Sequence, residues 1–186
     1  MYLNKKGKEE LKTTKTLAEI AIGELFEVAD IEFIKFADKS GQTVAVAKDS
    51  LFNSKFGNNN NFAESIIKSR LEKDILSKIE KEIGTENIIE HEVDLISLDG
   101  DDKWGKVTCR ISIPTFDFYR ANVKIFDKYK LDAWWWLATP DTTSAHYKDN
   151  WVVCVSPRGV INFSCSRNYS GVRPFCILNS NIFVSE

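Results

Sequence analysis

The amino-acid sequence predicts a single domain that combines short strands with two helices. Three observations carry this reading. Apolar residues alternate in short runs from Leu25 onward, they recur at helical spacing from Phe62 to Ile83, and Trp134, Trp135 and Trp136 stand together near the start of the last third. Alternation along a strand sends Trp135 to one face and Trp134 and Trp136 to the other, so both faces there must be covered or used. A chain of 186 residues with 43% hydrophobic content can bury a sizeable core as one domain.

The elements follow in order. A polar N-terminal segment covers residues 1–17. Leu25 to Val28 and Ile31 to Phe36 read as strands joined by a turn at Ala29-Asp30, and Asp38-Lys39-Ser40-Gly41 is a second turn leading into the strand Thr43 to Ala47. Phe33 or its neighbours should face a core. Residues 53–61, with four successive Asn at the end, read as a polar loop. Phe62, Ile66, Ile67, Leu71, Ile75, Leu76, Ile79 and Ile83 then mark one face of a long helix, with Asn61 and Glu64 as a capping box and Gly84 as the stop. Ile88 to Ser97 and Val107 to Ile113 read as strands, and these complete residues 18–113. In 114–186, Thr115 caps a second helix through Phe118, Val123 and Phe126. The tryptophan strand follows, then a polar loop over 138–150. A hairpin turns about Ser156-Pro157-Arg158-Gly159, and a last strand runs from Val172 to Leu178. No linker divides the chain, and no segment repeats.

Composition narrows the function classes. A net charge of −2 gives no global reason to expect nucleic-acid or membrane binding, and no apolar run approaches the ~20 residues that span a bilayer. Residues 1–16 are rich in Lys and Glu and lack the apolar core of a secretory signal, so a cytoplasmic protein is expected. The four cysteines, Cys109, Cys154, Cys165 and Cys176, contain no C-x-x-C spacing and read as buried free thiols rather than two disulfides.

Several motifs together resemble a known family. They are N-x-F-x-E-S-x-I from Asn60 to Ile67, I-S-I-P-T from Ile111 to Thr115, W-W-L-x-T-P from Trp135 to Pro140, and G-V-R-P from Gly171 to Pro174. Over roughly residues 20–178 the chain resembles a domain family of unknown function from Gram-positive bacteria and their phages, with W-W-L-R-S-P and G-V-R-P-A-L as hallmarks. It departs from them at Ala138, where the family often has Arg, and at Phe175-Cys176. That family is similar in turn to the C-type-lectin-like fold shared with formylglycine-generating enzymes. The resemblance implies an α+β fold, two helices packed on small twisted antiparallel sheets. It makes Trp135, Trp136, Gly171, Arg173 and Pro174 structural, Arg173 fixing carbonyls or a carboxylate, and displays the polar loops between them on one face.

Little chemistry is visible. Cys165 and Cys176 are too far apart for the paired cysteines of formylglycine-generating enzymes, and a Cys–His nucleophile would need His91 or His146 beside a thiol. Asp99, Asp101 and Asp102 lack the spacing of an EF-hand and read as a solvated turn. No catalytic residue, cofactor or metal is expected. Charge is distributed unevenly, however. Glu86 to Asp102 holds seven acidic residues and no Lys or Arg, whereas Asn150 to Ser185 holds three Arg and neither acid nor Lys. Within the latter region Arg158, Asn162, Ser164, Arg167, Asn168 and Tyr169, with Tyr147 and Trp151 nearby, are residue types suited to an adaptable recognition surface. The expectation is a non-catalytic, phage- or prophage-associated protein that binds another macromolecule through these loops. A protein partner is favoured, for instance one in a host defence system such as CRISPR. A nucleic-acid partner, a degenerate formylglycine-generating-enzyme relative with thiol or metal chemistry, and a phage structural component are the alternatives.

Overall fold

The computed structural model describes residues 14–143 and 149–185. The architecture is α+β, mostly sheet. A seven-stranded sheet has the order β1-β14-β2-β3-β4-β13-β6, formed by Thr14–Thr16, Phe183–Ser185, Leu25–Val28, Ile31–Lys39, Gln42–Ala47, Phe175–Asn179 and Ile88–Ile89. A five-stranded sheet has the order β11-β10-β9-β12-β5, formed by Ile161–Cys165, Trp151–Val155, Trp135–Asp141, Tyr169–Val172 and Phe52–Lys55. A small hairpin pairs β7 (His91–Asp94) with β8 (Lys106–Cys109). All pairings are antiparallel except β12 with β9, which meet in parallel at Gly171 and Trp135.

The N-terminal meander forms at the turns its residues favour. Ala29 and Asp30 both take positive φ, as do Ser40 and Gly41, and two positive φ values in succession match the twist of a tight hairpin. Both faces of β3 are used. Phe33 joins the main core, while Ile34 and Phe36 join a second one, after which a register shift between Lys35 and Ala37 re-aims the strand.

The long helix is continuous from 66 to 83 but not uniform. It consists of α1 (Ile66–Arg70), a π-helical stretch (Leu71–Leu76) and α2 (Ser77–Ile83). Its cap is Ser65, whose hydroxyl accepts from the Lys68 N–H, while Asn61 caps a separate short turn by accepting from Ala63. Ile67, Leu71, Ile75, Leu76 and Ile79 bury in the main core. Thr115 caps α3 (Phe116–Ala121) as its position predicts, and α4 (Val123–Lys128) follows directly.

Four strand assignments shift. The polar stretch 53–61 begins in β5, and Asn60 is fully buried, donating to the Trp151 carbonyl at 3.0 Å and accepting from Trp104 Nε1 at 2.9 Å. The run from Ile88 divides into β6 and β7, which belong to different sheets. β9 continues through Pro140 to Asp141, all buried, because the Thr139 hydroxyl accepts the Phe116 N–H and anchors the strand to the start of α3. The last strand is two: β12 ends at Val172 and β13 begins at Phe175. Pro174 has no N–H to extend a ladder, and here the chain passes from the five-stranded to the seven-stranded sheet.

Candidate functional site: an aromatic and polar hollow

The tryptophan strand divides the protein as its alternation requires. Trp136 lies in the main core, edge-on to Phe56 at 5.8 Å, with Nε1 donating to the Ser54 carbonyl at 3.0 Å. Trp135 points the other way, against Tyr119 and Phe126 at 5.8 and 5.5 Å. Trp134 precedes β9 and is 42% exposed. Its carbonyl accepts the Gly171 N–H at 2.8 Å, tying β12 to the start of β9. A Cβ at Gly171 would lie 2.4 Å from Ser50 Oγ and 3.1 Å from the Trp134 carbonyl, so only glycine allows this approach.

Arg173 locks the same region from beneath. It is 1% exposed, Nε donates to the Ala47 carbonyl at 2.9 Å, and the guanidinium stands 5.3 and 5.0 Å from the rings of Phe126 and Trp135. One Nη has no partner among the described residues, and burial pushes the pKa down to about 10. The side chain is internal scaffold.

Above this scaffold a hollow of about 550 Å³ opens between β11 and β12. Asn162 and Ser164 stand opposite Cys154 and Val152 in the β10–β11 ladder, and Cys154, Asn162 and Ser164 all line the hollow. Asn168, just before β12, and Tyr169 and Ser170 of β12 close it, and Trp134 completes the wall; Phe163 borders the hollow from β11, with its ring on the opposite face of the strand. Asn168 Nδ2 donates to Ser164 Oγ at 3.0 Å, pinning the crossing turn to β11. Lys55 Nζ lies 5.6 Å from the centre of the Tyr169 ring. Phe163 and Tyr169 are 46% and 66% exposed.

Four of the residues singled out from sequence, Asn162, Ser164, Asn168 and Tyr169, therefore share one concavity. The others do not. Trp151 packs edge-on to Phe163 at 4.7 Å, and the register places both on the face of β10–β11 that carries Val153. Arg158 occupies the 156–160 turn and Arg167 the turn after Cys165, at opposite ends of β11, so they cannot form one patch. Tyr147 and His146 lie outside the described residues. Trp134 joins the site without having been anticipated as a binding residue. The signal for Trp134 was present: of three tryptophans in a row, the one that falls before the strand has no core to enter.

Elsewhere several polar groups partner one another. His91 Nε2 lies 2.8 Å from Ser112 Oγ, with the ring packed on Phe175 at 5.0 Å. Burial lowers the His91 pKa, opposed by the nearby Ile89 carbonyl, and no group reaches hydrogen-bonding geometry at Nδ1. Ser112 is itself buried, and among the described residues no carboxylate orients the imidazole, so there the pair lacks the third member of a nucleophilic set. Cys109 faces His91 across the β7–β8 ladder, yet burial pushes its thiol up to about 11, and Cys154 and Cys176 up to about 12. Thiols held there are poor nucleophiles near neutral pH. The Asp99 carboxylate is taken by the hydroxyls of Ser97 and Thr142, which lower its pKa. A further cavity of about 420 Å³ is lined by Glu92, Asp94, Asp117 and Arg120, where Lys106 pairs with Glu92 at 2.6 Å and Arg120 with Asp117 at 3.1 Å. Among the described residues no group of three His, Cys, Asp or Glu is arranged to hold a metal ion, and no helix is long and apolar enough to cross a membrane.

In comparisons with known proteins, no family model, no curated protein and no solved structure matches this chain.

Proposed function

We propose that the protein is a non-catalytic binding protein that engages a protein partner through the hollow between β11 and β12. The observation that carries this reading is the convergence of Trp134 and Tyr169, both exposed, on the amides and hydroxyls of Asn162, Ser164, Asn168 and Ser170. Large aromatic surface brings binding energy at little entropic cost, and short polar side chains adapt their hydrogen bonds to the partner. The site is held by buried Trp135, Trp136 and Arg173, so much of its shape exists before binding. Thiol chemistry gains no support from this geometry, because three of the four sulfurs are buried and disfavour the thiolate.

The same architecture supports a C-type-lectin-like assignment: helices on small antiparallel sheets, and a hairpin followed by the strand Tyr169–Val172 that leads into Arg173. In that reading the partner is a protein of the bacterial host, a component of a defence system such as CRISPR being the case suggested by the likeness to phage-borne domains. The test is affinity purification from host cells with mass spectrometry, comparing the wild type with a Trp134→Ala/Tyr169→Ala variant of unchanged circular dichroism. Loss of one specific captured protein is expected. An identical capture profile for the two proteins would reject the hollow as the binding site.

A further inference from the structure

We propose that β11 receives an extended acidic segment of a partner protein as an added strand, its carboxylates meeting Arg158 and Arg167. This goes beyond the hollow, because it concerns the backbone edge of the sheet. β11 is an outermost strand of its sheet, and among the described residues no strand pairs with its outer side. Its register with β10 runs from Ile161 to Cys165 without a shift, so no bulge bends the edge away. No Pro, Lys or acidic residue interrupts Val160 to Cys165, and Val160 is 59% exposed. Proteins ordinarily guard such edges with these devices, because unpaired N–H and C=O groups invite another chain. The Phe163 N–H instead donates to the neighbouring Asn162 Oδ1 at 2.8 Å, a local bond that an arriving carbonyl can replace.

The opposite edge of the same sheet is treated differently. On β5, Arg70 of α1 donates to the Asn53 carbonyl and stacks over Phe52 at 3.9 Å, and Lys55 adds a charge. Among the described residues, one edge is covered and the other is left open.

Charge selects the occupant. Arg158 and Arg167 are both exposed, bracket β11, and among the described residues form no ion pair. Asp127, close to the 156–160 turn, is already paired with Lys130 at 3.2 Å. A second copy of the chain pairing antiparallel about Phe163 would bring Arg158 of one molecule beside Arg167 of the other, a like-charge contact. An extended peptide with a carboxylate near each end instead meets a cation at both, while its backbone completes the ladder.

The test uses isotope-labelled protein and a synthetic octapeptide of alternating Thr and Val with Asp at both ends. Amide shifts should concentrate at Ile161 to Cys165. Placing Lys at both ends should weaken binding by about tenfold, N-methylation of alternate amides should abolish it, and R158E/R167E should reverse the preference between the two peptides. These charge reversals lie on exposed turns and leave the core intact. Phe163→Pro, which removes the outward N–H, should also abolish binding. If that variant fails to fold, the charge reversals decide the matter. No shift at about 1 mM peptide overturns the proposal. So do shifts confined to Trp134 and Tyr169 that persist on N-methylation, a result that would leave the hollow standing. Self-association of the wild type that Phe163→Pro removes would give the edge to a second copy and equally overturn it.

Discussion

The buried Arg173 allows a prediction worked from its surroundings. Its Nε hydrogen bond to the Ala47 carbonyl involves a charged donor, a class that contributes about 1.5–3 kcal/mol. The faces of Phe126 and Trp135 add about 2 kcal/mol at a desolvated site. Against this, a guanidinium pushed down to about 10 by burial carries a cost on the order of 3 kcal/mol for staying charged, with one Nη unpartnered. The partners therefore outweigh the cost of the charge by only about 0.5–2 kcal/mol, and the larger contribution that remains is volume. Arg173→Met keeps most of that volume and should lie within about 1.5 kcal/mol of the wild type. Arg173→Ala opens a cavity beside Trp135 and should cost about 3 kcal/mol more than Met. Urea unfolding followed by tryptophan fluorescence at pH 7 measures both. Because the folded-state pKa is depressed, the cost of the charge is fully present below about pH 10 and is relieved as pH rises through that value. The wild type should therefore gain on the Met variant between pH 9 and about 11. A Met variant as damaged as the Ala variant would refute the reasoning, since it would make the guanidinium's bonds the dominant contribution.

Other expectations are more direct. Native protein treated with a thiol reagent near pH 8 should modify Cys165 and leave Cys109, Cys154 and Cys176 unreacted until denaturant is added; fast labelling of all four would contradict their burial. Gly171→Ala should destabilise by about 1–3 kcal/mol in denaturant titrations, because its Cβ meets Ser50 and the Trp134 carbonyl, and a neutral effect would mean that β12 can shift. Burial alone would raise the Asp38 carboxyl, but hydrogen bonds from Lys35, Ser180 and Thr43 outweigh it and hold the pKa below its usual range. The stabilisation it brings is present above the ordinary carboxylate pKa and lost as pH falls through the lowered one. Stability curves from pH 5 down to 2 should therefore fall less steeply for Asp38→Asn than for the wild type.

Local signals in the sequence were read well wherever one short segment decides the outcome. The turns at Ala29-Asp30 and Ser156 to Gly159, the Thr115 cap and the opposed burial of Trp135 and Trp136 all follow from residues close together in the chain. Features that depend on distant partners were not legible. Nothing local says that Lys35 is buried, because its Nζ bonds the Leu17 carbonyl at 2.8 Å and Asp38 at 2.6 Å. The pairing of β1 with β14 joins the two ends of the described chain, which no periodicity reveals. The site shows the same division. Asn162, Ser164, Asn168 and Tyr169 were recognisable by residue type, but the separation of Arg158 from Arg167 depends on the full length of β11, and the His91–Ser112 contact on how β7 packs beside β13.

The passage of one uninterrupted segment, Tyr169 to Asn179, from one sheet to the other has a mechanical consequence. It works as a stitch. Fraying either sheet pulls on the strand that seats the other, so the two cannot melt in separate steps. The slowest amide exchange should then gather along this seam on both sides of Arg173, with a single calorimetric transition for the whole molecule.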